Sequence, residues 1–278
     1  MKKLSLLLLL TCAFFAQNAL AGGFPIGKNH ILLVPTYSYY NAKAYWDRSG
    51  TYHKYDNNGD FTSHYFGLYG GFGLSNRFDV VFNLPYSMQS SNQNNITSTN
   101  SGMGDATLGL TYFISHFDGS KHLSISGSGI FPLYTNPSST ANKPYLGFQE
   151  YGSELKVGFA GSAKNENYAY YDFEVGARKF FSDYGTTQLF ANLTAGIPLN
   201  KKWKASVTVS GLSSSSNQDT FDPNNLKANR DFGYVKINGA IAYNINKKVS
   251  IWANGYMDIG GQNIGQGRGF MAFLVFRL

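Results

Sequence analysis

The sequence predicts an all-β chain, a transmembrane antiparallel up-and-down β-barrel of about 12 strands. Three observations predict it. Apolar and polar residues alternate along segments of about ten or more residues, short and long connections alternate between them, and no stretch after residue 21 is apolar enough for a membrane helix. A soluble β-sandwich is the alternative. The length of the segments and the charged residues in mid-segment favour the barrel, since a polar lumen accommodates them.

The first 21 residues are predicted to be a cleaved signal peptide. Lys2 and Lys3 precede an apolar segment, and Ala19-Leu20-Ala21 has the small-x-small pattern of a cleavage site. An N-terminal anchor helix is a weaker interpretation, because the apolar stretch is short. A lipoprotein signal at Cys12 is also weaker, because the apolar stretch continues beyond it.

Cleavage after Ala21 leaves one predicted domain, the barrel of residues 22–278. Its formal charge is +5, compared with +7 for the whole chain, because two lysines leave with the signal peptide. The only cysteine leaves as well. This composition excludes a disulfide scaffold, a cysteine nucleophile and a cysteine-ligated metal in the exported chain.

The clearest strand is predicted at residues 77–88, where the side chains sort with a period of two. One face is apolar throughout: Phe78, Val80, Phe82, Leu84, Tyr86 and Met88. The same alternation recurs near residues 31–46, 64–74, 105–114, 122–133, 154–159, 171–178, 188–197, 203–209, 235–243, 249–258 and 268–278. The total of twelve is even, as closed bacterial barrels require.

The connections are predicted to lie at two different ends of the barrel. Short turns are expected at 75–76, 116–120, 164–167, 200–202 and 246–248. Longer loops are expected at 47–62, 89–101, 134–150, 213–230 and 260–267, with a shorter one near 182–186. Outer-membrane barrels place the short turns in the periplasm and the long loops outside the cell.

Two neighbouring segments resemble a known family. They are Gly73-Leu74-Ser75-Asn76-Arg77-Phe78-Asp79 with Asn83-Leu84-Pro85-Tyr86, and Ser101-Gly102-Met103-Gly104-Asp105-Ala106-Thr107-Leu108-Gly109-Leu110. They are similar to the meta-pathway phenol-degradation family of bacterial outer-membrane β-barrels, often described as transporters. The resemblance implies a Gram-negative outer-membrane barrel associated with the passage of small aromatic or hydrophobic compounds. It does not identify a substrate.

Within this motif, Gly102 and Gly104 are expected to let the chain turn in from the preceding loop without a Cβ clash. Asp105 then begins a strand on its polar face. Two roles for this carboxylate remain open at this point: pairing with Arg77 or another lumen cation, or capping a turn.

The polar faces of the strands predict a lumen that carries both signs of charge. The predicted solute path comprises Arg77, Asp79, Asp105, Glu154, Lys156, Asp172, Glu174, Arg178, Lys204, Lys236 and Asp258, with Arg277 near the C-terminus, and the family motif comprises Pro85, Gly102, Gly104 and Asp105. Mixed signs favour internal pairing over strong ion selectivity. A barrel of this size is wider than a side-chain-filled one and narrower than a porin, so it predicts a narrow or gated conduit.

The predicted function is therefore the passage or uptake of small, hydrophobic or aromatic compounds through a porin-like transporter. The alternative is a non-transporting structural, receptor or adhesin barrel that acts through its external loops. Expected partners are outer-membrane lipid and lipopolysaccharide, the solute, and the barrel-assembly machinery, which the alternating C-terminal segment 270–278 would engage. Because the positive charge is diffuse, nucleic acid is not expected.

No catalytic residue, metal or cofactor is expected. His122-Leu123-Ser124 resembles the His-x-Ser arrangement of a barrel phospholipase, but both polar side chains are predicted to face the lumen near the periplasmic rim. The histidines have no metal-ligand spacing. The oxygen-rich run 56–60 lacks the bidentate glutamate of a calcium loop, which favours an exposed turn.

Overall fold

The computed structural model describes residues 23–94, 96–117, 120–138, 143–163, 169–218, 222 and 225–278. The described strands are β1 (Ile31–Trp46), β2 (Tyr52–Lys54), β3 (Asp60–Gly73), β4 (Phe78–Gln93), β5 (Ile96–Met103), β6 (Asp105–Phe117), β7 (Lys121–Pro132), β8 (Gly152–Ser162), β9 (Tyr170–Phe180), β10 (Thr187–Pro198), β11 (Trp203–Ser215), β12 (Phe232–Asn244), β13 (Val249–Gln262) and β14 (Ile264–Arg277). In this part of the chain, no helix has the length and apolarity to cross a membrane.

The sheet closes on itself, and the expected twelve-stranded antiparallel barrel is confirmed. Strand β1 pairs with β3 on one side and with β14 on the other, from Leu32 opposite Arg277 to Trp46 opposite Ile264. Strand β2 is a three-residue addition to the outer end of β1. Strands β5 and β6 share one position in the wall, because both pair with β4, above and below Pro85.

The apolar faces of the strands point outward, which is the reverse of a soluble protein. In β4, Phe78, Leu84 and Met88 are exposed, whereas Asp79 and Gln89 are buried. Similar exposed apolar residues include Leu108 and Leu110 in β6, Leu189 and Leu193 in β10, and Ile237 and Ile241 in β12. Such a belt is stable only where hydrocarbon covers it, since exposed apolar patches of this extent are unfavourable in water.

One end of the barrel, here called the turn end, carries the short connections and the N- and C-terminal ends of the sheet. Its turns use side chains that accept backbone N–H groups: Asn200 Oδ1 accepts from Lys202 and Trp203 at 2.8 and 2.9 Å. Asn246 Oδ1 accepts from the backbone of Lys248 and Val249 at the same two distances. The opposite end, the loop end, carries the long connections, so the turn end is periplasmic by the rule for outer-membrane barrels.

Two of the predicted long loops are wrong. Strand β4 continues to Gln93 and returns as β5, so the segment expected as a loop at 89–101 is mostly a projecting hairpin. Strands β13 and β14 are joined by Asn263 alone, at a φ of 52°, so no loop spans 260–267. The polar sequence suggested loops in both places, but antiparallel neighbours complete the backbone hydrogen bonding there. The predicted signal peptide lies outside the described residues, as do the turn residues 164–167.

Inside the barrel, apolar side chains fill only part of the lumen. Val34, Met271, Phe273 and Val275 form a buried cluster on the inner face of β1 and β14 near the turn end. A second cluster of Phe190, Leu212 and Tyr234 lies higher, between β10, β11 and β12. Between these clusters the wall is lined by polar and charged side chains.

Candidate functional site: the barrel lumen

The first charged group in the lumen is a four-residue cluster on the inner face of β8 and β9. Lys156 Nζ lies 3.2 Å from Glu174 Oε2 and 3.5 Å from Glu154 Oε1. Arg178 donates from Nε to Glu154 Oε2, since Glu154 and Arg178 are directly opposite in the strand register. Two cations and two carboxylates thus neutralise one another, as buried charges require.

The second group lies on β12, β13 and β1. Lys236 Nζ is 3.6 Å from Asp258 Oδ1, and the Tyr40 hydroxyl donates to Asp258 Oδ2 at 3.1 Å. The same ammonium lies 4.9, 5.2 and 5.9 Å from the ring centroids of Tyr256, Tyr234 and Tyr40. Cation–π attraction therefore adds to the ion pair, and the three rings hold the ammonium against the wall.

A cavity of about 370 Å³ lies within the barrel and contacts both charged groups. Aromatic side chains that line it include Tyr40, Phe61, Tyr65, Tyr69, Phe148, Phe180, Phe190, Phe232, Tyr234 and Tyr256. Serine, threonine and asparagine side chains supply the remaining polar lining. The cavity thus offers flat apolar faces beside hydrogen-bonding groups, an arrangement that suits a small organic molecule.

Loop residues meet at the loop end of the cavity, where Phe148 is part of the lining. Glu150 Oε1, before β8, lies 2.6 Å from Arg230 Nη2, before β12, and their side chains are 10% and 9% exposed. The Arg230 guanidinium also lies 4.0 Å from the ring centroid of Tyr184 and 4.8 Å from that of Phe148. It donates to Thr186 Oγ1 at 3.0 Å. This outer latch, defined as Glu150 and Arg230 with the two rings, joins three connections at the loop end.

The segment before β1 crosses the turn end. The Ile26 N–H donates to Asp79 Oδ2 at 2.9 Å, and the Gly23 N–H donates to Asp172 Oδ2 at 3.3 Å. The Phe24 ring contacts the edge of the His122 ring, with centroids 5.6 Å apart. Asp79 is on β4 and Asp172 on β9, four strands apart around the wall, so the segment bridges the opening. We call residues 23–30 the inner strap.

The family-motif residues lie at the base of the projecting hairpin. The Gly104 N–H donates to the Pro85 carbonyl at 2.9 Å, and a Cβ on Gly104 would lie only 3.1 Å from Pro85 Cγ. Asp105 Oδ1 accepts from the Tyr134 hydroxyl at 2.9 Å. This bond holds the start of the loop between β7 and β8 against the wall. Burial and the adjacent carboxylate raise the pKa of Tyr134, which therefore stays protonated and can donate.

Next to this motif, loop residues complete the wall. Strand β7 ends opposite Asp105, so the outer edge of β5 has no strand beside it among the described residues. Asn100 Nδ2 instead donates to the Pro144 carbonyl at 2.8 Å, and Leu146 packs close to Gly102, where an added Cβ would lie 2.9 Å from Leu146 Cδ1. The small residues of the motif thus leave room for the loop to lie against the hairpin.

The structure brings together most of the residues predicted for the solute path. Asp105, Glu154, Lys156, Glu174, Arg178, Lys236 and Asp258 line the cavity. Asp79 and Asp172 lie below it at the inner strap, and Lys204 lies near Arg277 at the turn end. Arg77 is different: it is exposed in the turn before β4 and is not among the cavity-lining residues. Asp105 accepts a hydrogen bond from the Tyr134 hydroxyl, and its pairing with a lumen cation or its capping of a turn stays a prediction.

Neither the outer latch nor the inner strap was predicted from the sequence. Glu150 and Arg230 are 80 positions apart in loops without periodicity, and nothing local predicts that they meet. The inner strap follows the expected cleavage site and carries no motif. The inward orientation of Tyr40 could have been predicted, because the alternation of β1 places its side chain on the inner face and that of Tyr39 on the outer face.

In the described part of the chain, no three or more His, Cys, Asp or Glu side chains are grouped to hold a metal. His122 and Ser124 both lie in the inner wall, where Ser124 Oγ donates to the Gly158 carbonyl at 3.5 Å and His122 contacts Phe24. Residues 56–58 form one 3-10 turn beside β3.

A closed twelve-stranded barrel with an apolar outer belt and a polar lumen defines a bacterial outer-membrane β-barrel. The family model described as "Putative MetA-pathway of phenol degradation" matches residues 40–274. The chain belongs to this family, and it is an outer-membrane protein. No curated protein matches the sequence.

Solved structures share the fold at low sequence identity. The COG4313 outer membrane channel from Pseudomonas putida F1 has a TM-score of 0.74 at 13% identity, over 94% of this chain and 100% of that one. The NanC porin has a TM-score of 0.52 at 10% identity, over 88% and 100%. The β domain of the Bordetella autotransporter BrkA has a TM-score of 0.53 at 10% identity, over 90% and 99%.

Proposed function

We propose that this protein is a gated outer-membrane conduit for the passage or uptake of small hydrophobic or aromatic compounds. The observation that carries the proposal is the aromatic-lined cavity inside the barrel, with the outer latch at its loop end and the inner strap at its turn end. The family's phenol-degradation description and the channel title of the Pseudomonas putida structure are consistent with it.

The size and charge of the cavity favour a small neutral solute. Its volume of about 370 Å³ is near the lower limit of ligand pockets, which run from roughly 300 to 1,000 Å³. Lys156 and Arg178 on one wall and Lys236 on the other are each bonded to a carboxylate. An uncharged aromatic compound can therefore lie between the walls without breaking an ion pair, and the tyrosine hydroxyls can bond its polar group.

The test is planar-bilayer conductance of the refolded barrel with each closure removed. We compare the chain from Gly22 with a variant that lacks residues 22–30 and carries Glu150→Gln. Heat-modifiable migration on gels verifies that both are folded. We expect rare, small openings in the first and frequent openings in the second, with the current reduced by phenol as the probe. A folded variant that stays silent and passes no phenol into liposomes would refute the conduit.

A non-transporting barrel is the second candidate, and the outer latch is the observation that favours it. The latch joins three connections at the loop end, and a receptor, adhesin or structural barrel would need such an ordered outer surface. This candidate predicts that the folded variant without residues 22–30 and with Glu150→Gln shows no channel openings in the conductance test.

The chain is also proposed to be non-enzymatic. His122 and Ser124 are directed into the lumen near the turn end, whereas a lipid-cleaving pair belongs on the outer wall. Further proposed partners are lipopolysaccharide, around the loop end, and the barrel-assembly machinery, through β14. The signal peptide is proposed to be removed after Ala21, which N-terminal sequencing of the exported protein tests.

A further inference from the structure

The outer wall carries a second concave site that the conduit does not use. A groove of about 670 Å³ crosses the lipid-facing side of β11 to β14 and β1. Gly239 and Gly255 are paired across β12 and β13, and a Cβ added to either would have no atom within 4 Å. The two missing side chains leave a slot in the wall.

Apolar side chains border this slot. Val207, Ile237, Met257 and Phe270 line the groove, and they belong to the outward-facing belt. Phe270 stacks on Tyr39 with ring centroids 5.6 Å apart, which gives the groove a flat aromatic side. The slot is therefore shaped for an acyl chain.

Two cations lie at the upper edge of the same groove. Lys43 and Arg268 are exposed, line the groove, and lie on the adjacent strands β1 and β14. Arg268 is opposite Asn41, two residues from Lys43, so the two like charges are diagonal neighbours on one face. A register shift between Ala42 and Ala44, both buried, leaves Lys43 pointing outward.

Neither cation has a side-chain partner among the described residues. The nearby carboxylate Asp60 accepts from Asn41 Nδ2 at 2.8 Å and from Thr62 Oγ1 at 3.2 Å, and it forms no ion pair with Lys43 in the described structure. Like charges on neighbouring strands repel one another unless an anion lies between them. A bound anion would therefore stabilise the pair of cations Lys43 and Arg268.

The position of the cations along the strands places that anion in the outer leaflet. Arg268 is nine residues above Arg277 at the turn end of β14, and Lys43 is twelve above Ile31 at the turn end of β1. A tilted strand crosses the hydrocarbon core in about 9–11 residues. The two cations thus reach the outer headgroup level, where charged residues on the lipid-facing side are least costly.

We propose that this groove binds lipid A: a phosphoryl group lies between Lys43 and Arg268, and one acyl chain lies in the slot at Gly239 and Gly255. The outer-leaflet depth favours lipid A over phospholipid, and paired cations suit a phosphoryl group because both can donate charge-assisted hydrogen bonds to it. The site is independent of the lumen and of any transport.

The test is lipid binding to the refolded, detergent-solubilised full barrel, measured by native mass spectrometry. The probes are diphosphoryl lipid A, dephosphorylated lipid A and phosphatidylglycerol. We expect saturable binding of the first only, weakened by about tenfold for each ionic contact removed in Lys43→Gln and Arg268→Gln. Lys43→Arg retains binding. Lys201→Gln, in the periplasmic turn before β11, is the matched charge control and leaves binding unchanged.

A second variant separates the slot from the charges. Gly255→Leu fills the groove and keeps both cations, so it weakens lipid A binding without changing the lumen. Unchanged lipid A affinity in a folded Lys43→Gln/Arg268→Gln barrel overturns the proposal. Equal binding of phosphatidylglycerol overturns the assignment to lipid A. A groove occupied by a second copy of the chain, seen as a dimer that Gly255→Leu dissociates, also overturns it.

Discussion

Opening of the barrel at the loop end is predicted to depend on Glu150. The substitution Glu150→Gln removes the carboxylate that lies 2.6 Å from Arg230, while both side chains are about nine-tenths buried. The guanidinium keeps its two ring contacts and its bond to Thr186 but loses its counter-charge. Breaking a buried pair by removing one partner costs at least about 3 kcal/mol.

That cost falls on the closed arrangement only, because an open loop exposes Arg230 to water. A change of about 3 kcal/mol is close to two powers of ten in the closed-to-open ratio. A barrel open about one part in a thousand would then be open about one part in ten. Single-channel open probability in planar bilayers measures this ratio when Glu150 and Glu150→Gln are compared in a barrel that lacks residues 22–30, so that the inner strap does not block the current.

The matched control is Asp183→Asn, which removes an exposed carboxylate from the β9–β10 connection at the same rim. It is expected to leave the open probability unchanged. The double variant Glu150→Gln/Arg230→Gln completes a cycle in which the two effects are strongly non-additive. If the open probability of a folded Glu150→Gln barrel rises less than about threefold, or the two effects add, the latch does not hold the loops closed.

Three further predictions concern the lumen wall, the hairpin and the outer loop. Lys236→Met leaves Asp258 buried without its ammonium and is expected to lower the free energy of unfolding in urea by about 3 kcal/mol, and the added substitution Asp258→Asn recovers part of the loss. Gly104→Val forces methyl groups against the proline ring opposite and destabilises the barrel by about 1–3 kcal/mol, whereas Gly127→Val, which meets open space, does not. Hydrogen bonds from the Ser49 hydroxyl and, second in size, from His53 hold the pKa of Asp47 below its usual 3.8. The ionised carboxylate therefore stabilises its loop fully above pH 3.8, and this stabilisation is lost as the pH falls through the lowered pKa. A carbon-13 titration of Asp47 with a midpoint at or above 3.8 contradicts this.

The wall was predictable from the sequence because lipid imposes one rule on every strand. Phe78, Leu84 and Met88 had to share a face, since a single slip of register would put Asp79 into hydrocarbon. The same rule placed Glu154 and Lys156 in the lumen. The pairing of Lys236 with Asp258 was not predictable in detail, because it depends on which inward residues of neighbouring strands share a level.

The closures were not predictable, because no periodic constraint acts on them. Loop residues between β11 and β12 have few apolar side chains, and their sequence alone favours solvent exposure. Only the folded barrel brings Arg230 near Glu150 and Phe148 of one loop and near Tyr184 of another. The one-residue connection at Asn263 was not predicted for a related reason. Gly260 and Gly261 are residues typical of a loop, but they occupy paired strand positions.

The outer latch and the inner strap are held by different kinds of contact, so we expect different events to open them. The outer latch is an ion pair flanked by the rings of Phe148 and Tyr184, so an aromatic solute can compete for the same face of Arg230. The inner strap is held by two backbone N–H groups that donate to carboxylates and by the contact of Phe24 with His122. An aromatic solute can compete for the ring contact but not for the two hydrogen bonds. For the proposed conduit we therefore expect solute from outside to loosen the outer latch first and to enter the cavity while the strap remains in place. For the proposed conduit we expect release into the periplasm to require displacement of Phe24 and Ile26 from the wall, and to be the slower step because the two hydrogen bonds of the strap gain no assistance from the solute.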